Sequence, residues 1–263
     1  MHLKFGPRRF SLVLVAATTL ALWGCAGPTK TRPKLDENTA AYQHNLAAVA
    51  FKYGLKDEAV KYLEQALTLD PNHQPSLFLL ASLRLDKKEY SAAEELLLKN
   101  LALKPDDAET HTRLGMVYRQ SGAQDKAEEE FLKAYALEPN PTAALNLAQH
   151  FSDRGKTEQA LEYANLALGK DEGSIPGLNL RGVILSRLNR NSKAAADFEK
   201  VLSLDPGNVV SAFNLAATYM SLERLKEARE ILEKLMPRVT DPAMKEKIAE
   251  ALEALKRTPS ESR

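Results

Sequence analysis

Between residues 40 and 242 the apolar side chains fall at helical spacing, and the pattern returns about every 34 residues. In the stretch 108–140, Leu114, Gly115 and Tyr118 are adjacent or four apart, which gathers them into one stripe along a helix. A second stripe starts at Ala127 and Phe131 and stops before Pro139. The same start recurs as Leu46-Ala47, Leu80-Ala81, Leu147-Ala148, Arg181-Gly182 and Leu215-Ala216. Ala59, Ala93, Ala127, Ala160, Ala194 and Ala228 follow at intervals of 34, 34, 33, 34 and 34. Pro71, Pro105, Pro139 and Pro206 keep the same phase. Three markers in one phase predict six helix pairs: 40–73, 74–107, 108–140, 141–174, 175–208 and 209–242.

Each marker has a physical role. Gly115, Gly182 and the alanines at the equivalent sites let two helices approach closely. Gly54, Gly122, Gly155 and Asn189 stand between the helices of a pair, where a left-handed residue is expected. The prolines stop the second helix, because the residue before a proline disfavours helical geometry. One such pair cannot bury its own apolar face, so neighbours must stack and the ends need caps. Residues 243–257 supply a cap, with Met244, Ile248, Leu252 and Leu255 on one face, and 258–263 read as a frayed tail.

The unit resembles the tetratricopeptide repeat, W-x2-L-G-x2-Y…A-x3-F…P over 34 residues. The third pair matches closely at Leu114, Gly115, Tyr118, Ala127, Phe131 and Pro139, with His111 in place of Trp. The departures are local. Glu172 replaces the proline of the fourth pair, Arg181 replaces the leucine of the fifth, and the sixth ends in Thr240. The resemblance implies an all-α, right-handed α-solenoid of six helix-turn-helix units plus a capping helix. It also implies a concave groove lined by the first helices. The groove positions carried over from the family include His44, Phe51, Phe78, Leu85, Glu109, Met116, Arg119, Gln149, Asn179, Phe213 and Met220. The apolar ones among them either pack between pairs or lie open as a binding patch. The family's carboxylate clamp needs Lys and Asn where His44, Ala48 and Glu109 stand here, so a receptor for C-terminal carboxylates is not expected.

The N-terminus follows a different rule. Lys4, Arg8 and Arg9 precede an apolar run from Phe10 to Leu22, about 13 residues against the ~20 a membrane-spanning helix needs. A signal peptide over 1–24 is expected. Leu22-Trp23-Gly24-Cys25 resembles the lipobox of bacterial lipoproteins, which makes Cys25 the expected lipid-attachment residue. An uncleaved anchor is the alternative. Ala26 follows where an Asp would favour the inner membrane, so the resemblance implies the periplasmic face of a Gram-negative outer membrane. Residues 26–39 read as a flexible tether reaching roughly 45 Å when extended.

Composition changes this picture only by exclusion. Three of the 36 basic residues and none of the 35 acidic ones would leave with the signal peptide, taking the formal charge from +1 to −2. That removes the electrostatic argument for nucleic acid as partner. One cysteine forbids an internal disulfide, and five histidines leave little for a structural metal site. The chain holds no H-E-x-x-H, G-x-S-x-G, phosphate-cradling glycine loop or C-x-x-C. Binding rather than catalysis is expected, with no cofactor and no metal. The partner would be a protein, with a peptide or helix of it held in the groove, while the lipid holds the chain at a membrane. The architecture is similar to pilotin-like lipoproteins of type IV pilus biogenesis, which assist secretin assembly. An adaptor for cell-wall hydrolases or outer-membrane protein assembly, or a periplasmic enzyme with converging carboxylates, are the other readings.

Overall fold

The computed structural model describes residues 38–257, so the signal-peptide, Cys25 and tail readings, and the tether up to residue 37, lie outside the described residues. Among the described residues there are thirteen α-helices and no strand. One compact unit ends at Leu103 and a second begins at Lys104. The first holds α1 (Ala40–Lys52), α2 (Lys56–Leu69), α3 (Gln74–Asp86) and α4 (Tyr90–Leu103). The second holds α5 (Ala108–Ser121), α6 (Gln124–Leu137), α7 (Pro141–Asp153), α8 (Thr157–Lys170), α9 (Ile175–Arg187), α10 (Asn191–Leu204), α11 (Val209–Ser221), α12 (Leu225–Leu235) and α13 (Pro242–Arg257). Within each unit every helix packs on the next in the chain, and in the second unit α5, α7, α9 and α11 also touch in sequence. That is the stacking of a helix-turn-helix solenoid.

Local chemistry sets both ends of each hairpin. First helices begin at polar caps. Thr39, Asp107, Asn140, Ser174 and Asn208 each accept a backbone N–H three residues on. The second helices α2, α6, α8, α10 and α12 start without a side-chain cap. The turn residue is left-handed in all six hairpins: Gly54, Gly122, Gly155 and Asn189, but also Lys88 at φ 61° and Glu223 at φ 59°. Side chains as large as these rarely adopt that region, so the hairpin geometry imposes it.

Close approach of paired helices explains the glycines. A Cβ on Gly115 would stand 2.7 Å from the ring of Phe131, and one on Gly182 2.7 Å from that of Phe198. Each phenylalanine lies sixteen residues beyond its glycine. Where the small residue is Ala47, Ala81 or Ala216, the equivalent partner is Leu63, Leu97 or Leu232, all buried. Bulk on one helix is thus matched by its absence on the other. Gly182→Ala should cost about 1–3 kcal/mol by overpacking. Adding Phe198→Leu should recover most of that loss. A double variant no more stable than Gly182→Ala in urea unfolding would separate the two sites.

The fourth hairpin is small on both sides, with Ala148 and Ala164, and carries a run of rings instead. Phe131, His150, Phe151 and Tyr163 follow one another at centroid distances of 5.6, 5.8 and 5.5 Å. His150 is fully buried, and neither ring nitrogen has a hydrogen-bond partner among the described residues. The Glu128 carboxylate is 3.7 Å from its Nε2. Burial, with help from the Arg154 charge, holds the imidazole below its ordinary value of 6.5 although Glu128 pulls the other way. The unfolded chain therefore binds the proton first. Stability should be level above about pH 6.5 and fall as pH drops below it. If this is so, the urea midpoint of the native chain should fall more steeply below about pH 6.5 than that of His150→Phe. An unchanged acid slope in the variant would acquit His150.

Leu69, Leu103, Leu137 and Leu204 end the second helices of four hairpins, all exposed. At the matching positions the fourth and sixth hairpins have Lys170, which ends α8, and Arg238, three residues beyond α12. These side chains donate to the carbonyls of Pro139 and Pro206, in the preceding hairpin. The end of the second unit is closed by α13. Its Ile248 and Leu255 are buried, and Met244, Ala251 and Leu252 pack against the same core. Arg229 of α12 donates to the Leu255 carbonyl at 2.8 Å, fixing the C-terminal turn of α13.

Candidate functional site

The expected groove positions are distributed over both units and behave differently in each. In the first unit, His44 is half-buried beside Ser76, Nδ1 to Oγ 3.3 Å, with the His73 ring 5.4 Å away. Phe51 is 42% exposed and Phe78 half-buried. Leu85 is only 6% exposed, the packed one of the two places expected for it. Covering a leucine is worth about 1.5–3 kcal/mol, and this side chain is spent on packing.

In the second unit the first helices are laced together by polar contacts between neighbours. Arg119 of α5 lies 4.0 Å from Asp153 of α7, to which Gln149 donates at 2.6 Å. Ser211 of α11 donates to Asn179 of α9 at 2.6 Å. Arg187 of α9 donates through Nη1 to the Ser152 carbonyl at 2.9 Å and to its hydroxyl at 2.7 Å. Ser186 and Thr218 approach to 3.5 Å. Met116 is half-buried and Glu109 exposed. Phe213 and Met220 are half-buried against the core of the last two hairpins, so only part of each side chain is available to a partner.

Between α9, the start of α10 and α11 lies an open cleft of about 560 Å3. Val183, Ser186, Arg187, Asn189, Asn191, Phe198, Asn214, Ala217, Thr218 and Ser221 line it. Its size is that of small-ligand clefts, about 300–1,000 Å3. No carboxylate is among the lining residues, and its polar atoms are amides, hydroxyls and one guanidinium. Such a lining can hydrogen-bond a peptide in both directions, as donor and as acceptor. Arg187 and Asn214 stand outside the positions carried over from the family. Their only sequence signal is a cluster of asparagine and hydroxyl side chains near the two helix ends. Among the described residues no group of three metal-ligating side chains forms, and no helix is long and apolar enough to cross a membrane.

Residues 50–112 and 187–251 match a family model of the tetratricopeptide repeat, and 108–141 match a second model of the same repeat. Over 205 residues the chain is 32% identical to human protein O-mannosyl-transferase TMTC3, covering 76% of this chain and 22% of that protein. The chain spans between 22% and 33% of the length of the first curated relatives it matches. Its fold is similar to the crystal structure of PilW, a widely conserved type IV pilus biogenesis factor. The TM-score is 0.74 at 18% identity, over 80% of this chain and 98% of PilW. For PilF of Pseudomonas aeruginosa the TM-score is 0.69 at 17% identity, over 80% and 96% of the two chains. At these identities the likeness is one of fold.

Proposed function

Because this chain belongs to the tetratricopeptide repeat family, a family of scaffolds for protein interaction, we propose that it is an adaptor that holds a segment of a partner protein against the first helices of its hairpins. The observation that carries the reading is the amide- and hydroxyl-lined cleft between α9, α10 and α11, open and free of carboxylates. Cys25 is the proposed lipid attachment, which would keep the adaptor on the periplasmic face of the outer membrane. Assistance in assembling an envelope machine, such as a type IV pilus secretin, is the finer reading. Likeness in fold to PilW and PilF over nearly their whole lengths supports it.

The test is capture of partners from crosslinked envelope. Phe78→Ala and Phe213→Ala should each weaken capture about ten- to a hundredfold, the equivalent of about 1.5–3 kcal/mol of lost aromatic burial. Glu129→Ala, an exposed position paired among the described residues with Lys133 alone, should do nothing. Melting curves must show all three variants folded, since Phe213 also packs on the core. Capture that survives both phenylalanine changes and fails with Glu129→Ala would move the interface to the second helices. In the same preparations Cys25→Ser should shift the protein to the soluble fraction, and continued membrane fractionation with normal processing would end the lipoprotein reading.

A further inference from the structure

We propose that the cleft of the last two hairpins is a subsite for an acidic side chain carried on an extended segment of the partner, with Arg187 as its recognition group. The proposal rests on the adaptor reading and names the chemistry that the cleft selects. Arg187 is the only charged residue lining the cleft. Four other guanidinium groups are matched to acids: Arg84 to Glu64 and Glu89, Arg154 to Asp125 and Glu128, Arg181 to Asp197, Arg224 to Glu227. Arg187 has no acidic partner among the described residues, yet it is not loose. Ser152, 3% exposed, holds its Nη1 by two hydrogen bonds and so fixes the planar group from behind.

A guanidinium fixed through one nitrogen still presents Nε and Nη2, the pair of donors that matches a carboxylate in a fork. Because the protein has already ordered the side chain, less entropy is lost when the anion arrives. The surroundings fit the backbone that would carry the acid. Asn189, Asn191 and Asn214 each offer an amide that donates and accepts, as a peptide group does. Val183 and Ala217 give a short apolar floor for the neighbouring side chains. Absence of any carboxylate in the lining leaves nothing to repel an acid.

The probes are three dye-labelled seven-residue peptides with serine and leucine flanks. One has a central Asp and an amidated C-terminus. The second has Asn in its place, also amidated. The third has Asn and a free C-terminal carboxylate. Fluorescence anisotropy with the full chain in detergent micelles should show the Asp peptide binding at least tenfold tighter than either Asn peptide. Arg187→Gln should bring the Asp peptide down to the Asn level and leave the Asn peptide unchanged, in a variant that the melting curve shows to be folded at the assay temperature. Equal affinity for Asp and Asn peptides, or a preference that survives Arg187→Gln, overturns the proposal, as does failure of all three to bind. Tightest binding by the free-acid peptide assigns the site to chain termini and overturns it too. Loss of the peptide preference with intact envelope capture leaves the adaptor standing without this subsite. Intact preference with capture indifferent to Phe78 and Phe213 does the reverse.

Discussion

Deleting residues 242–263 should lower the stability of the second unit by about 3–5 kcal/mol. Each fully buried aliphatic side chain contributes about 1.5–3 kcal/mol, and α13 buries two, Ile248 and Leu255, with Met244 and Leu252 half-covered. Part of that gain is offset by the entropy of ordering the helix, which the truncated chain no longer loses. The truncation also uncovers Leu232, Leu235 and Val239 and frees Arg229 from the Leu255 carbonyl. Terminal units of a stacked array need such a cover, so the loss should extend beyond the deleted segment. Urea unfolding followed by circular dichroism gives the midpoint. A midpoint equal to that of the full chain would mean that α13 does not act as a cap.

Arg181→Leu should be the most damaging single substitution in the fifth hairpin, although leucine stands at that position in the other five. The Asp197 side chain is 7% exposed, and Arg181 satisfies both its oxygens, Nε to Oδ2 at 2.8 Å and Nη2 to Oδ1 at 2.7 Å. Removing the arginine strands a buried carboxylate, a loss of about 3–5 kcal/mol. Replacing both partners is a different matter. The sixth hairpin has Leu215 and Ile231 at the matching places. The double variant Arg181→Leu with Asp197→Ile should therefore be as stable as the native chain or more so. A single variant with an unchanged urea midpoint, or a double variant as weak as the single one, would show that the pair carries no such coupling.

Much of the fold was legible because it repeats. Phase alone located the six hairpins' stripes, and Gly54, Gly122, Gly155 and Asn189 marked four of the six left-handed turns. Lys88 and Glu223 could not be marked that way, since nothing in a lysine or a glutamate signals positive φ. Their place in the phase is the only clue. Arg181 stood out as a departure, but its partner lies on the other helix, and no local pattern ties the two. The candidate site was less legible. Periodicity says which residues share a face, not which are covered by the next helix, so it leaves Leu85 and the half-packed Phe213 between a packed and an open place. Arg187 was missed because its role depends on Ser152, one hairpin earlier.

The backward reach of Lys170 and Arg238 has a consequence for how the second unit is composed. Gly115, Glu130, Phe131 and Pro139 recur 67 residues later as Gly182, Asp197, Phe198 and Pro206. Each set belongs to one hairpin, the third and then the fifth, with an internal polar pair: His111–Glu130 at 2.6 Å, then Arg181–Asp197. The fourth and sixth hairpins have alanine for glycine, no proline in phase, and a cation that reads the proline carbonyl before it. The module here is thus a couple of unlike halves, a donor hairpin and an acceptor hairpin, and its true period is double the repeat. Duplication or recombination that moves such a couple keeps the cation and the proline carbonyl it reads together. A crossover that moves one half leaves a proline carbonyl unread and a cation without its seat, so this array can grow by couples more readily than by single hairpins.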